Sequence, residues 1–179
     1  VDTNKVDKYL SIFGGKLTDC INVGDEVAGL IKELGITLPY ADFKWYGEPD
    51  DTVRDEFFHR AKLMDFDALT PATSSEPLTK RFWRRYGRNA INMLEKIREN
   101  PEKAELLIES SEYLRVEIEH AAEREMVTKL EDFLRRRSKI SLVVRQEDIL
   151  SAPGLKEACE ILFGDEADAK LQEYIETVS

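Results

Sequence analysis

The chain has 179 residues, enough for one domain or one domain plus a piece of another. Its 26 Lys and Arg against 36 Asp and Glu give a net charge of -10, which argues against a general nucleic-acid binder, because neutralising phosphates needs the opposite sign. Hydrophobic residues make up 42%, enough for a packed core, yet no apolar run approaches the roughly 20 residues of a membrane span.

Residues 1 to 8 are polar and read as irregular. Tyr9 to Phe13 reads as a short strand, and two glycines and a lysine (Gly14, Gly15, Lys16) follow it. A lone strand is unstable in water, so it is expected to pair with another copy, to pack on helices or to stay mobile. The apolar residues Leu17, Cys20, Ile21, Val23, Val27, Leu30, Ile31 and Leu34 fall close to a helical period and predict a helix over about 17–34. Gly35 suits its C-terminal cap, and the cost of Gly24 and Gly29 within the helix implies close packing against another element. Residues 36 to 49 form an aromatic-rich connection. Asp50 or Asp51 caps a helix through about Met64, and Thr70 to Pro77 is a loop.

From Glu76 onward the pattern is almost wholly helical. One helix runs from Glu76-Pro77 to Gly87 and another over Asn89 to Asn100. Pro101 opens a short helix carrying Ala104, Leu106, Leu107 and Ile108. A long helix is expected over about Ser111 to Arg137, with its stripe at Leu114, Ile118, Ala121, Ala122, Met126, Leu130, Phe133 and Leu134. Leu155 to Phe163 and Asp165 to Thr177 finish the chain, separated by Gly164. The expected fold class is mainly α: a helical bundle preceded by a short strand–turn–helix.

Few residues carry chemistry. A strand ending in Gly14-Gly15-Lys16 before a helix lets backbone approach a ligand and aims helix N–H groups at an electron-rich group. Taken alone, the triplet also reads as a plain turn with a solvated lysine. His59 and His120 lack a His-x-x-x-His partner and read as structural or surface residues. Arg84-Arg85 and Arg135-Arg136-Arg137 are basic clusters, the second at a helix C-terminus where cations meet the macrodipole. Glu117, Glu119, Glu123 and Glu125 read as a solvated face. Cys20 and Cys159 are far apart and lie in no CxxC pair, so neither a disulfide framework nor a zinc site is expected, and a reducing compartment fits. There is no signal-peptide pattern.

Three stretches together resemble the C-terminal part of FAD-dependent glycerol-3-phosphate dehydrogenases and the related oxidases. Gly14-Gly15-Lys16-Leu17-Thr18 is similar to the Gly-Gly-Lys-x-Thr signature that ends the flavin domain of that family. Arg84-Arg85-Tyr86-Gly87 resembles the Arg-x-Tyr-Gly helix end that opens its C-terminal cap. Glu125-Met126, followed by Leu130 to Lys139, resembles the Glu-Met…Asp-x-Leu-x-Arg-Arg-(Thr/Ser)-(Arg/Lys) run. Asp19 and Cys20 depart from the Thr and the Tyr-Arg-like pair usual after the first motif.

The resemblance implies residues 1–38 as the end of an FAD-binding domain, 39–75 as a linker region with one helix, and 76–179 as an all-helical cap. It implies hydride transfer from sn-glycerol 3-phosphate to flavin, giving dihydroxyacetone phosphate, with electrons passing to quinone or, in the oxidases, to oxygen. Gly14, Gly15, Lys16, Leu17 and Thr18 are the implied flavin contacts, with Lys16 the implied catalytic residue. The N-terminal FAD and substrate domain is the implied partner and lies upstream, so the chain alone is expected to bind no FAD and to be inactive. A cytoplasmic location, with peripheral attachment to the membrane's inner face, and a homodimer are further expectations. The competing reading is a free-standing helical interaction module.

Overall fold

Helices dominate the computed structural model, which describes residues 2–4, 9–13, 17–39 and 49–178. Packing divides the chain into two units, Val1–Glu48 and Pro49–Ser179. None of the helices among the described residues is long and apolar enough to cross a membrane.

In the first unit, β1 (Asp2–Asn4) pairs antiparallel with β2 (Tyr9–Ser11), in the register Asp2 to Ser11, Thr3 to Leu10 and Asn4 to Tyr9. Residues 2–4 are therefore not irregular, and the strand does not lack a partner. Ladder hydrogen bonds use main-chain groups, so polar side chains at 2–4 do not forbid pairing.

A 3-10 turn at Leu17–Asp19 leads into α1 (Cys20–Glu33). Gly35 closes α1 with φ +82°, its N–H donating to Lys32 O at 2.9 Å and that of Ile36 to Ile31 O at 3.3 Å. Despite the apolar stripe, no residue of α1 is buried. The expected close packing at Gly24 and Gly29 is absent too: a Cβ added at either meets nothing within 4 Å.

The second unit holds two cores. α2 (Asp51–Leu63), α3 (Leu78–Tyr86) and α4 (Asn89–Glu99) build the first around Phe57, Phe66, Leu78, Phe82 and Leu94, all fully buried. Each such side chain contributes about 1.5–3 kcal/mol on burial. The Phe66 and Phe82 rings meet edge to face at 5.0 Å. α2, expected within a linker, thus shares a core with the cap helices. It starts after Asp50, whose carbonyl, not its side chain, accepts the first helical N–H groups.

Asn100 caps a 3-10 turn at Pro101–Ala104, its side chain accepting the Glu102 N–H at 3.0 Å. The chain then turns extended at Glu105, and Leu106 bridges Leu114, so the expected helix does not reach Ile108. α5 (Arg115–Arg124) and its N-cap Leu114 serve both cores: Leu114 and Val116 belong to the first, Ile118 and Ala121 to the second.

The long helix predicted to Arg137 breaks. Met126 takes a left-handed backbone (φ +49°), and a π-helical turn follows at Asp132–Arg137. Asp132 organises the restart, accepting from the N–H groups of Thr128 and Lys129 (3.1 and 2.9 Å) and from the Thr128 hydroxyl (2.9 Å). Two helices not foreseen, α6 (Ile140–Val143) and α7 (Gln146–Leu150), precede α8 (Leu155–Phe163) and α9 (Ala167–Val178). α8 packs Ala158, Cys159 and Leu162 into the second core.

Candidate functional site

Gly14, Gly15 and Lys16 lie outside the described residues. Leu17 and Thr18 sit in the 3-10 turn that runs into α1, so their N–H groups belong to a helix N-terminus, the positive end of its macrodipole. The neighbouring Asp19 carboxylate accepts from the Asn22 amide at 2.6 Å.

The second unit concentrates its polar chemistry between the two cores. Arg81 of α3 is fully buried and donates to Glu117 of α5, which is 1% exposed. Glu117 also accepts from the Leu114 N–H and the Tyr86 hydroxyl, both at 2.8 Å. The Leu114 bond is one half of a capping box, with the third helical residue reaching back to the helix start. Glu117 is therefore not part of a solvated face. Burial pushes its carboxyl above the usual range, opposed by Arg81, the Leu114 N–H, Tyr86 and Arg85.

Glu112 joins this network. Its backbone carbonyl accepts from Arg81, and its carboxylate pairs with Arg85 at 2.5 Å. Burial works against the Glu112 charge, but Arg81 and Arg85 outweigh it and hold the carboxyl below its usual range. The Arg85 guanidinium lies 4.6 Å from the centroid of Tyr113, and burial of that tyrosine raises its hydroxyl to about 12.

Beside the network opens a cavity of about 560 Å³. Arg84, Arg85, Arg137 and Lys139 bring cations to it; Glu112, Glu117 and Glu125 bring carboxylates; Tyr113, Phe133, Ile140 and Val143 supply an apolar wall. Two of the motifs singled out in the sequence therefore meet here, the Arg-Arg-Tyr-Gly helix end and the run ending at Lys139.

Gly87 closes the first motif with φ +49°, a conformation that disfavours any side chain. Within the arginine triplet, Arg136 pairs with Asp132, while Arg137 Nε donates to Glu125 O at 3.0 Å and so caps α5 rather than its own turn. His59 is exposed on α2, and His120 is half-buried with its ring 5.1 Å from Tyr86.

Arg81 and its partner were missed as functional candidates, yet a signal existed. Leu78, Arg81, Phe82 and Arg85 recur at i, i+3, i+4 and i+7, which puts both arginines on the apolar face of α3.

The family model for the C-terminal domain of alpha-glycerophosphate oxidase matches residues 50–164, a stretch that includes every residue lining the cavity. No curated protein and no solved structure matches the chain significantly. With nearly two thirds of its length under that one model, the chain belongs to the family defined by the C-terminal domain of alpha-glycerophosphate oxidase.

Proposed function

We propose that this chain is the C-terminal part of an FAD-dependent enzyme that oxidises sn-glycerol 3-phosphate to dihydroxyacetone phosphate. The family match over residues 50–164 carries the reading. Two features of the first unit support it: the Gly-Gly-Lys-x-Thr motif at 14–18, and an apolar stripe on α1 with no buried residue, as expected of a helix that packs against a larger domain.

FAD, when bound, supplies the redox chemistry, accepting the hydride from C2 of the substrate and passing electrons to quinone or oxygen. The residues of this chain orient and stabilise. Gly14 and Gly15 carry no Cβ and leave room for close approach. The N–H groups of Leu17 and Thr18, at a helix N-terminus, would stabilise the flavin edge that gains negative charge. Lys16 would add a positive charge at that edge or at the substrate hydroxyl. The general base and the groups that grip the substrate phosphate come from the N-terminal FAD and substrate domain. A homodimer and attachment to the inner membrane face complete the proposed assembly.

The test uses the complete gene product. Its flavin absorbance should bleach on adding glycerol 3-phosphate, and Lys16→Met should lower kcat by about a hundredfold, the scale of a lost transition-state donor, while flavin stays bound. The 179-residue chain alone should show no flavin absorbance and no turnover. A complete gene product without flavin, or with turnover indifferent to Lys16, ends this reading.

A further inference from the structure

We infer that the cavity between α3, α5 and the π-helical turn is a binding site for a phosphate monoester with a small apolar body. Its volume of about 560 Å³ falls within the roughly 300–1,000 Å³ of small-molecule sites.

Three irregularities converge on it. The π-helical turn at Asp132–Arg137 delivers Arg137 to the cavity, and single π turns recur at functional sites. Lys139, also on the wall, holds a left-handed backbone (φ +61°), which disfavours a residue with a Cβ and persists only where the surroundings enforce it. Among the described residues Arg85 Nη1 is buried without a hydrogen-bond acceptor, the Glu117 carboxylate lying 3.8 Å away. A buried donor left unsatisfied is rare in a native fold.

The charge balance selects the ligand. Arg81 and Arg85 are matched by Glu112 and Glu117, and Arg84 by Glu76. Arg137 spends Nε on a backbone carbonyl; its Nη groups and the Lys139 ammonium, both on exposed residues, meet no protein acceptor among the described residues and are free to turn to a ligand. Glu125 is the carboxylate that opposes them at the cavity.

One planar fork satisfies a carboxylate, whereas a tetrahedral phosphate takes donors from several directions, as Arg85, Arg137 and Lys139 offer from two separate elements. Tyr113, Phe133, Ile140 and Val143 form the wall for an apolar body. The inference is independent of the proposed enzyme activity.

Phenyl phosphate is the probe, with inorganic phosphate and benzyl alcohol as partial ligands, titrated into the 179-residue chain and followed by amide NMR shifts. Phenyl phosphate should bind with a dissociation constant of about 1 mM or below, tighter than either part alone, and shift residues 133–143. Arg137→Ala and Lys139→Ala should each weaken binding about tenfold, the scale of one charge-assisted hydrogen bond.

Glu125→Gln should tighten it, a gain that a damaged fold cannot mimic. Vesicles containing phosphatidic acid separate the two sources of this chemistry. Sedimentation with them, reversed by phenyl phosphate, assigns a lipid headgroup; a chain that binds the probe but stays in the supernatant assigns a free ester. Absence of shifts near the cavity, or shifts that survive both alanine variants, would overturn the site.

Discussion

α1 and α3 make a direct comparison. α1 has fourteen residues, an apolar stripe and no buried residue; α3 has nine residues, several charges, and buries Leu78, Arg81 and Phe82. Amphipathic pattern alone does not bury a helix. What α3 has within its unit is a counter-surface from α2 and α4, and an anionic partner on α5 that makes burial of an arginine tolerable. The second unit is therefore held by partners it contains, whereas the described part of the first presents a face still to be covered.

Breaking the buried pair tests this contrast most severely. Arg81→Met should destabilise the second unit by about 3–5 kcal/mol, because Glu117 keeps a buried charge that has lost its main partner. Arg81→Met combined with Glu117→Leu should recover much of that loss, since removing both charges also removes the uncompensated one. Denaturant unfolding followed by circular dichroism reads both. A single-variant loss below about 1 kcal/mol would mean that the pair behaves like an exposed one and that burial of Arg81 does not distinguish α3.

The same contrast explains what could be read from sequence. α4, α8 and Gly164 fell where periodicity and glycine chemistry put them, because those signals are local. The Arg81–Glu117 pair joins residues 36 apart, and a charge on a helix reads as solvated until its partner is known. The break at Met126 was hidden because Ile118, Ala122, Met126, Leu130 and Leu134 run on in steps of four residues across it. A local cue goes unused in that reading: Thr128 is followed at capping-box distance by Glu131. At 14–18 the sequence motif points to a flavin contact, but Gly14, Gly15 and Lys16 lie outside the described residues, and the structure adds only the helix N-terminus at Leu17 and Thr18. The cavity could not be read at all, since it arises where a π-helical turn meets the end of α3.

A smaller effect sharpens the comparison inside the second unit. Burial works against the Asp132 charge, but the Thr128 hydroxyl, the Lys129 and Thr128 N–H groups and Arg136 hold its carboxyl at about 2, below the ordinary 3.8. A depressed carboxylate stabilises the fold above its unfolded value and loses that contribution as pH falls through its folded value. Asp132→Asn should cost about 1 kcal/mol at neutral pH, the scale of a helix N-cap. The gap between the variant and the parent should close as pH drops from about 4 to about 2. Unfolding curves recorded across that range decide it, and a gap that does not depend on pH would show that the hydrogen bonds at Thr128 and Lys129 do not need the charge.

The smallest expected effect falls on α1, and there the sign matters more than the size. A Cβ at Gly24 or Gly29 meets nothing within 4 Å, and both lie in helical backbone, so Gly24→Ala and Gly29→Ala should each stabilise α1 by about 0.5–1 kcal/mol. Amide exchange over residues 20–33 of the 179-residue chain should slow, while the unfolding midpoint of the second unit stays where it was. In the complete gene product the same substitutions become a probe of the missing counter-surface. If another domain lies close against that face of α1, an added methyl group must be accommodated in packed surroundings, and the gain turns into a loss of about 1–3 kcal/mol. Stabilisation in the short chain with destabilisation in the complete protein would place a covering surface on α1. Equal stabilisation in both would leave its apolar stripe without the partner that the proposed function requires.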